Sequence, residues 1–589
     1  MHPEFNIQRL NCDVLIIGGG AAGCAAAHKL SEGDYQIILC DKAPIVRSGC
    51  LAAGVNAINA CLAPGYSPQD YADYAKRDAH GIASERLLLS MSQGLNEATL
   101  FLEKLGLKIH KGPDGSYKYR SWRNLIVNGE NIKPLLALPL KDKEGLTILE
   151  RVLVISYLVT YGDRRVSGAA ALSIDSPTLY FIEAKAVICA TGGAAGIYLP
   201  NNPGYSGHKM WYPPFNTGAG YAMGILAGAE MTTLEMRFVA LRAADTAAPT
   251  GTLAVGANAK QLNILGQAYE AKYGNTTSQR VLAARKEQEE GRGPCRLITE
   301  SISLKEKMNL VRAYLHMAPL QSLKFIEEMV KDELWGSNLS PSPLQVTVEA
   351  SEPFVLGGHT AGGYQVDESR KTTLKGLFAA GDVAGGAPQK YVSGAISEGF
   401  LAAQGVKVFL EENLEKFQTD ASLEKKIVKL LSTFRANEAP GFSTQGLEEA
   451  MQKTMDSLAG GARAGYAYND HSLRLAEEGI LELYGLSGKL PAPNIRDLMY
   501  IWELRERMIV ARSLIRHMAA RRETRWPGFG EYKGYPLKQK DYELFINSRL
   551  LLAPVIPPLE GSWGEIEIIK RDLVTGEIIE EKGAHEHSY

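Results

Sequence analysis

The spacing of apolar and polar positions changes twice within the first forty or so residues. Asp13–Ile17 (DVLII) is a short, nearly unbroken apolar run, the pattern of a strand buried on both faces. Ala21–Leu30 is alanine-rich, with one glycine at Gly23 and no proline, and reads as a helix. Gln36–Cys40 is a second buried strand, ending at Asp41. Runs of the same kind return far along the chain. Ala186–Ala190 leads into Thr191-Gly192-Gly193, and Gly376–Ala380 leads into Gly381-Asp382. Arg237–Arg242 alternates like a strand, which predicts Arg237 and Arg242 on opposite faces. Ser393–Glu398 is expected to open a helix. From Gln445 to Arg522 the period is helical. Leu481, Leu483, Leu498, Ile501, Leu504, Met508, Leu514 and Ile515 form apolar stripes, with Arg505, Glu506, Arg507, Arg521 and Arg522 expected on polar faces. Near the end, Glu565–Arg571 and Glu577–Glu581 flank Thr575-Gly576 as in a hairpin. The low apolar content of this tail suits contact with a partner, and its last ten residues suit disorder.

Composition narrows the class. A chain of 589 residues exceeds a single core, so about two to four domains are expected. The net charge of -2 offers no basic surface to nucleic acid. No apolar run reaches the roughly 18 residues of a membrane span, and the N-terminal stretch is not that of a signal peptide. The seven cysteines include no C-x-x-C pair, whereas an iron–sulfur cluster takes about four thiolates. They read as buried fillers in a reducing, cytoplasmic setting.

The candidate chemistry begins between the first strand and the first helix. Gly18, Gly20 and Gly23 form G-x-G-x-x-G around Gly19, Ala21 and Ala22. Gly18 permits the tight turn, Gly20 lets the backbone approach a pyrophosphate, and Gly23 lets helix and strand pack closely. The free N–H groups of the helix start then face the phosphates. Asp41, 18 residues beyond Gly23, is placed to grip a ribose hydroxyl. The later pairing of Ala190-Thr191-Gly192 with Gly381-Asp382 resembles the family of two-part FAD domains, in which a late strand returns to the first sheet. The resemblance implies an α/β fold: a two-part Rossmann-like FAD-binding domain, an inserted α+β capping domain and a C-terminal helical domain. The expected boundaries are 1–245 and 354–420 for the FAD-binding domain, 246–353 for the cap, 421–545 for the helical domain and 546–589 for a C-terminal extension.

The block Arg47–Asn59 resembles the flavin loop of the fumarate reductase and succinate dehydrogenase superfamily. Those enzymes commonly place a histidine, bonded to the flavin, where this chain has Gly49, so non-covalent FAD is expected. The strings Trp211–Gly218 (WYPPFNTG), Ala227–Thr232 leading to Glu235–Val239, Glu523–Gly528 (ETRWPG) and Val127–Glu130 resemble the alpha subunits of dissimilatory adenylylsulfate reductases. The sequence departs from that family after Arg242, and Gly357–Gly363 reads partly like fumarate reductase. The resemblance implies FAD contacts at Gly18, Gly20, Ala21, Ala22, Gly23, Asp41, Lys42, Ser48, Gly49, Asn56, Ala190, Thr191, Gly192, Gly381, Asp382, Ser393 and Ala395. It also implies a substrate site of Asn59, Glu130, Trp211, Arg242 and His359, and no metal ligands.

In that site Arg242 would clamp an anionic group, His359 would donate a hydrogen bond or a proton, and Trp211 would wall the pocket. Asn59 and Glu130 would orient the substrate or the flavin edge. Each residue also has a plainer reading: Arg242 as an ion-pair residue, His359 as structural, Trp211 as core, Glu130 as a solvated acid. The functional expectation is an FAD-dependent oxidoreductase subunit in a hetero-oligomer. It would exchange two electrons with a small anionic substrate, by family likeness adenylylsulfate reduced to AMP and sulfite, through a ferredoxin-like iron–sulfur subunit. Two alternatives stay open: a fumarate-reductase-like enzyme acting on an activated double bond, and an electron-transfer flavoprotein whose catalysis lies in a partner. Lys390-Tyr391, where fumarate reductases carry a carboxylate-gripping arginine, weighs against a dicarboxylate.

Overall fold

The computed structural model describes residues 5–160, 162–201, 210–244, 250–251, 254, 259–274, 276–299, 308, 310–312, 344–413, 419–438, 440–525, 530–561 and 563–582. Its centre is a seven-stranded sheet. β1 (Asn6–Ile17) pairs in parallel with β2 (Ile37–Asp41) on one side and with the long strand Thr178–Cys189 on the other. Beyond β2 lies Leu146–Glu150, again parallel. The far edge of Thr178–Cys189 is shared. Its first half pairs antiparallel with Val166–Ser173, and its last residues pair in parallel with Leu377–Ala379. The late strand therefore returns to the first sheet, as expected. β1 is longer than the apolar run, because its polar first half pairs in register with Thr178–Ala184.

Helix α1 (Ala21–Leu30) joins β1 to β2 and packs against the helix Tyr391–Glu412. Its small side chains are the reason it can, since a Cβ on Gly399 would lie 2.3 Å from the Ala22 carbonyl oxygen. The later helix begins at Tyr391, two residues ahead of the expected Ser393.

A four-stranded antiparallel sheet stands over this unit, in the order Leu241–Ala243, Leu344–Ala350, Cys295–Thr299, Lys260–Leu262, with the helix Thr277–Glu289 against it. The strand expected over Arg237–Arg242 is only Leu241–Ala243. Both arginines are interior, at 1% and 0% exposure, so the expected opposite faces do not include a solvent face. Phe238 bridges Phe354 and breaks the simple alternation.

The expectation of polar faces in the helical region is corrected by the long helix Ile495–Ala520. Its charged residues Arg505, Glu506, Arg507 and Arg512 are all buried, as is Arg521, which follows it; Arg522 is exposed. The helix is packed by the helices Asp470–Ser487 and Ala219–Ala227 and by two strands, so from Ile501 on little of it faces water. The charges are met inside. Arg521 binds Glu235 and Glu523, Arg512 binds Glu477, and Arg507 donates to the carbonyls of Ala195 and Pro214.

The expected tail hairpin is present as Ile566–Asp572 and Ile578–Lys582. Strand Leu544–Leu550, which spans residues 545 and 546, joins it to Met231–Thr232 and Gly363–Tyr364 in a five-stranded sheet. Arg571 pairs with Glu230 of the same chain. Residues Trp526–Gly528 of the ETRWPG string, most of 300–343 and the final residues 583–589 lie outside the described residues.

Candidate active site

At the carboxyl ends of β1 and Thr178–Cys189, the Gly18–Gly23 turn presses on Ala190. A Cβ on Gly18 would lie 2.5 Å from the Ala190 carbonyl oxygen, and one on Gly23 would lie 1.8 Å from that of Gly18. These glycines are demanded by protein packing. Gly20 is different: a Cβ there would meet only Ala190 O, at 4.0 Å, so the turn is open on that side. Ser48 and Gly49 close in from another segment. Ser48 Oγ donates to the Gly19 carbonyl at 3.3 Å, and Gly49, at φ 72°, sits against Gly20. Asp41 accepts from the amides of Gly19 and Ala43, at 2.7 Å each.

The second turn meets the first. A Cβ on Gly381 would lie 3.0 Å from that of Ala22 and 4.0 Å from that of Ala395. Asp382 accepts from Tyr212 at 2.8 Å, and Tyr212 in turn accepts from the Gly193 amide at 2.9 Å. Burial pushes the Asp382 carboxyl up, against Tyr212 and Lys390, which favour its charge. Ser393 Oγ is buried without a hydrogen-bond partner among the described residues. Open backbone at Gly20, uncapped amides at the start of α1 and an orphaned hydroxyl fit a dinucleotide laid across the two turns. Ala21 and Thr191 flank the same turns, and Gly192 lies at φ 78° against Asn216 and Tyr212. Lys42 and Asn56 have other partners. Lys42 pairs with Glu503 at 2.5 Å, and Asn56 accepts from Arg120 at 3.1 Å.

The substrate candidates divide. The His359 ring lies 4.4 Å from Phe238, 4.7 Å from Tyr391 and 5.0 Å from Trp211. Its Nδ1 is buried with no partner among the described residues, and burial pushes the imidazole down to about 3. Asn59 reaches the same wall through Tyr71: it donates to the Tyr71 hydroxyl at 2.7 Å, and Tyr71 donates to Gln389 O at 2.6 Å. Gln389 and Tyr391 both hold positive φ, at 61° and 52°, a conformation unfavourable for such side chains and concentrated at functional sites. Arg242 is 0% exposed and bonds Glu349 at 2.9 Å and Asn201 at 2.8 Å. Glu130 pairs with Arg312.

Two cations absent from the sequence expectation join this wall. Arg123 donates to Asn59 Oδ1 at 3.2 Å and to Tyr74 at 2.7 Å, with its guanidinium 4.1 Å above the Tyr74 ring. Arg280, from the cap helix Thr277–Glu289, has Tyr74, Tyr391 and Asp78 as electrostatic neighbours. Burial lowers its pKa, and those groups oppose the fall. No local pattern distinguishes either arginine. Arg280 sits in an ordinary charged helix, and its neighbours lie some two hundred positions earlier or a hundred later. The region gathers aromatic rings, a neutral imidazole and two guanidinium groups around Tyr391. Such a set of groups suits a flat ring carrying an anionic group.

Comparison with known proteins agrees with this geometry. The family model described as an FAD binding domain matches residues 13–397. The adenylylsulfate reductase alpha subunit of Megalodesulfovibrio gigas is 27% identical, over 91% of this chain and 93% of its own. The structure of adenylylsulfate reductase from Archaeoglobus fulgidus superposes with a TM-score of 0.88 at 29% identity, covering 98% of each chain. E. coli quinol fumarate reductase shares the fold, with a TM-score of 0.76 at 18% identity over 99% of this chain and 100% of that one. Among the described residues no helix is long and apolar enough to cross a membrane. The chain belongs to the FAD binding domain family and is an FAD-dependent oxidoreductase.

Proposed function

We propose that this chain is the flavin subunit of a reductase for a small anionic substrate of the adenylylsulfate kind. It works in a cytoplasmic hetero-oligomer with a ferredoxin-like iron–sulfur subunit. The observation that carries this reading is that Arg280 from the cap and Arg123 from the base share Tyr74 and Tyr391 as neighbours, and that Tyr391 packs against His359. The relative from Megalodesulfovibrio gigas and the Archaeoglobus fulgidus structure, at 27% and 29% identity over nine-tenths of this chain or more, are named adenylylsulfate reductases, which supports the same substrate class.

Gly18–Gly23, Asp41, Ser48, Gly49, Ala190–Gly192, Gly381, Asp382, Ser393 and Ala395 would hold FAD, which when bound supplies two-electron redox chemistry. The chain's own residues do the rest. Arg123 and Arg280 take the negative charge of the substrate, and their partial burial strengthens each hydrogen bond they make. His359, neutral, offers an N–H donor and a lone pair. Trp211 and Phe238 wall the ring and exclude water. Asn59 fixes Arg123 directly and Tyr391 through Tyr71 and Gln389. Arg242 is a positioning residue that locks the strand behind Phe238 to Glu349. Glu130 and Arg312 tie the base to the cap.

A dicarboxylate is disfavoured by one specific arrangement. Lys390 is 0% exposed and spends its donors on Gly381 O, Ala384 O and Glu398. It cannot replace the arginine that would grip a carboxylate.

The test is a product balance. Holoprotein reduced without oxygen should convert adenylylsulfate to equal amounts of AMP and sulfite in a single turnover. Release of AMP with sulfate in place of sulfite would mean hydrolysis, and would overturn the reading.

A further inference from the structure

Lys133 is 0% exposed, and its ammonium does not pair with any carboxylate among the described residues. It donates to the Gly19 carbonyl at 2.6 Å and lies 3.4 Å from Cys24 Sγ. Two weaker donors reach the same carbonyl, Cys24 Sγ at 3.2 Å and Ser48 Oγ at 3.3 Å. The amide of Gly19 is held from the other side by Asp41 at 2.7 Å. The Gly19–Gly20 peptide is therefore fixed in orientation. In a trans peptide the N–H points opposite to the C=O. With the Gly19 oxygen turned inward to Lys133, the Gly20 N–H turns the other way, away from Lys133.

A second lysine shows what is missing at the first. Lys390, equally buried, holds the Gly381 carbonyl at 2.9 Å behind the other turn. Its charge is balanced by Glu398 at 3.3 Å. Lys133 does the same work without a carboxylate in direct contact among the described residues, and Asp41, the acid on this turn, is committed to the Gly19 and Ala43 amides. A buried charge without a contacting counter-ion is unfavourable, and a diphosphate bound at the turn would supply further negative charge.

We propose that Lys133 is a positioning residue for the diphosphate of FAD: it supplies the buried counter-charge and aims the Gly20 amide at the phosphates. This rests on the assignment of FAD to the Gly18–Gly23 turn. A charge-assisted hydrogen bond acting through one peptide predicts that Lys133→Met weakens FAD binding by about 10- to 100-fold. Lys133→Gln keeps a donor to Gly19 but removes the charge, so it should also weaken FAD, by about 10-fold. Riboflavin, which has no diphosphate, should bind both variants as it binds the wild type. The measurement is fluorescence titration of apoprotein with FAD and with riboflavin. Lys133→Gln is the arbiter if Lys133→Met does not fold. FAD affinity within about twofold of wild type in either folded variant would overturn the proposal, as would equal losses for FAD and riboflavin. Failure of the wild-type apoprotein to bind FAD would instead overturn the cofactor assignment beneath it.

Discussion

His359 is held neutral by its surroundings. Phe238, Trp211 and Tyr391 enclose the ring, and removing water from it pushes the imidazole down to about 3. Its ordinary value is about 6.5. Between those values the unfolded chain takes up a proton that the folded site refuses, so this group's contribution to stability falls as pH drops from about 6.5 toward about 3. The same depression means that His359 acts as a neutral donor or acceptor and not as an imidazolium acid. The pH profile of kcat/KM should then show no histidine inflection from this residue between about 5 and 8. His359→Ala and Arg280→Ala should each lose about two to three powers of ten in turnover while keeping FAD, because the FAD turns lie in other segments. Wild-type turnover in either variant would make that residue structural. The sequence pointed to His359, Asn59 and Trp211 through likeness to the family. It could not point to Arg280. That arginine's meaning comes from Tyr74 and Tyr391, which the fold brings to it from other elements.

At the scale of elements, β1, α1 and β2 were legible because their pattern is local: an apolar run, glycines, then an alanine-rich helix. The long helix Ile495–Ala520 was legible as a helix, but its setting was not. Its apolar stripe was read, but from Ile501 on the charged side is buried as well, and such charges look like a solvent face until their partners are known. Glu506 shows the consequence. Burial, with the like charge of Glu503, pushes its carboxyl up to about 7, against Lys42, the Thr217 hydroxyl and Arg507. Its unfolded value is near 4.5. Above the unfolded value the free chain ionises while the folded helix still holds the proton. Stability from this group is therefore full below about 4.5 and is lost as pH rises to about 7. Glu506→Gln retains an acceptor for Thr217 and has no proton to lose. It should melt close to wild type at pH near 4.5, and higher than wild type at pH near 8 by the equivalent of about 1–3 kcal/mol. Equal melting temperatures at the higher pH would show that Glu506 is ionised and compensated in the folded protein.

The whole molecule places two kinds of chemistry at one end of one sheet. The strand ends supply backbone amides and glycine turns, and the cap supplies a guanidinium group from the helix Thr277–Glu289. The two-part domain was legible because Gly376–Ala380 repeats the strand-and-glycine pattern of the first turn. The five-stranded sheet was not, because it is assembled from short pieces with little pattern, Met231–Thr232 and Gly363–Tyr364. Its joining of the tail hairpin to Glu230 ties the C-terminal region to the flavin domain through Arg571 and Asn547. On the proposed reading, this arrangement makes an FAD enzyme for an anionic sulfonucleotide. The direct measurement is rapid mixing of the reduced holoprotein, without oxygen, against adenylylsulfate and against fumarate, following the return of oxidised-flavin absorbance. Adenylylsulfate should restore the colour within the mixing experiment while fumarate leaves the flavin bleached. Reoxidation by fumarate, with adenylylsulfate inert, would contradict the account.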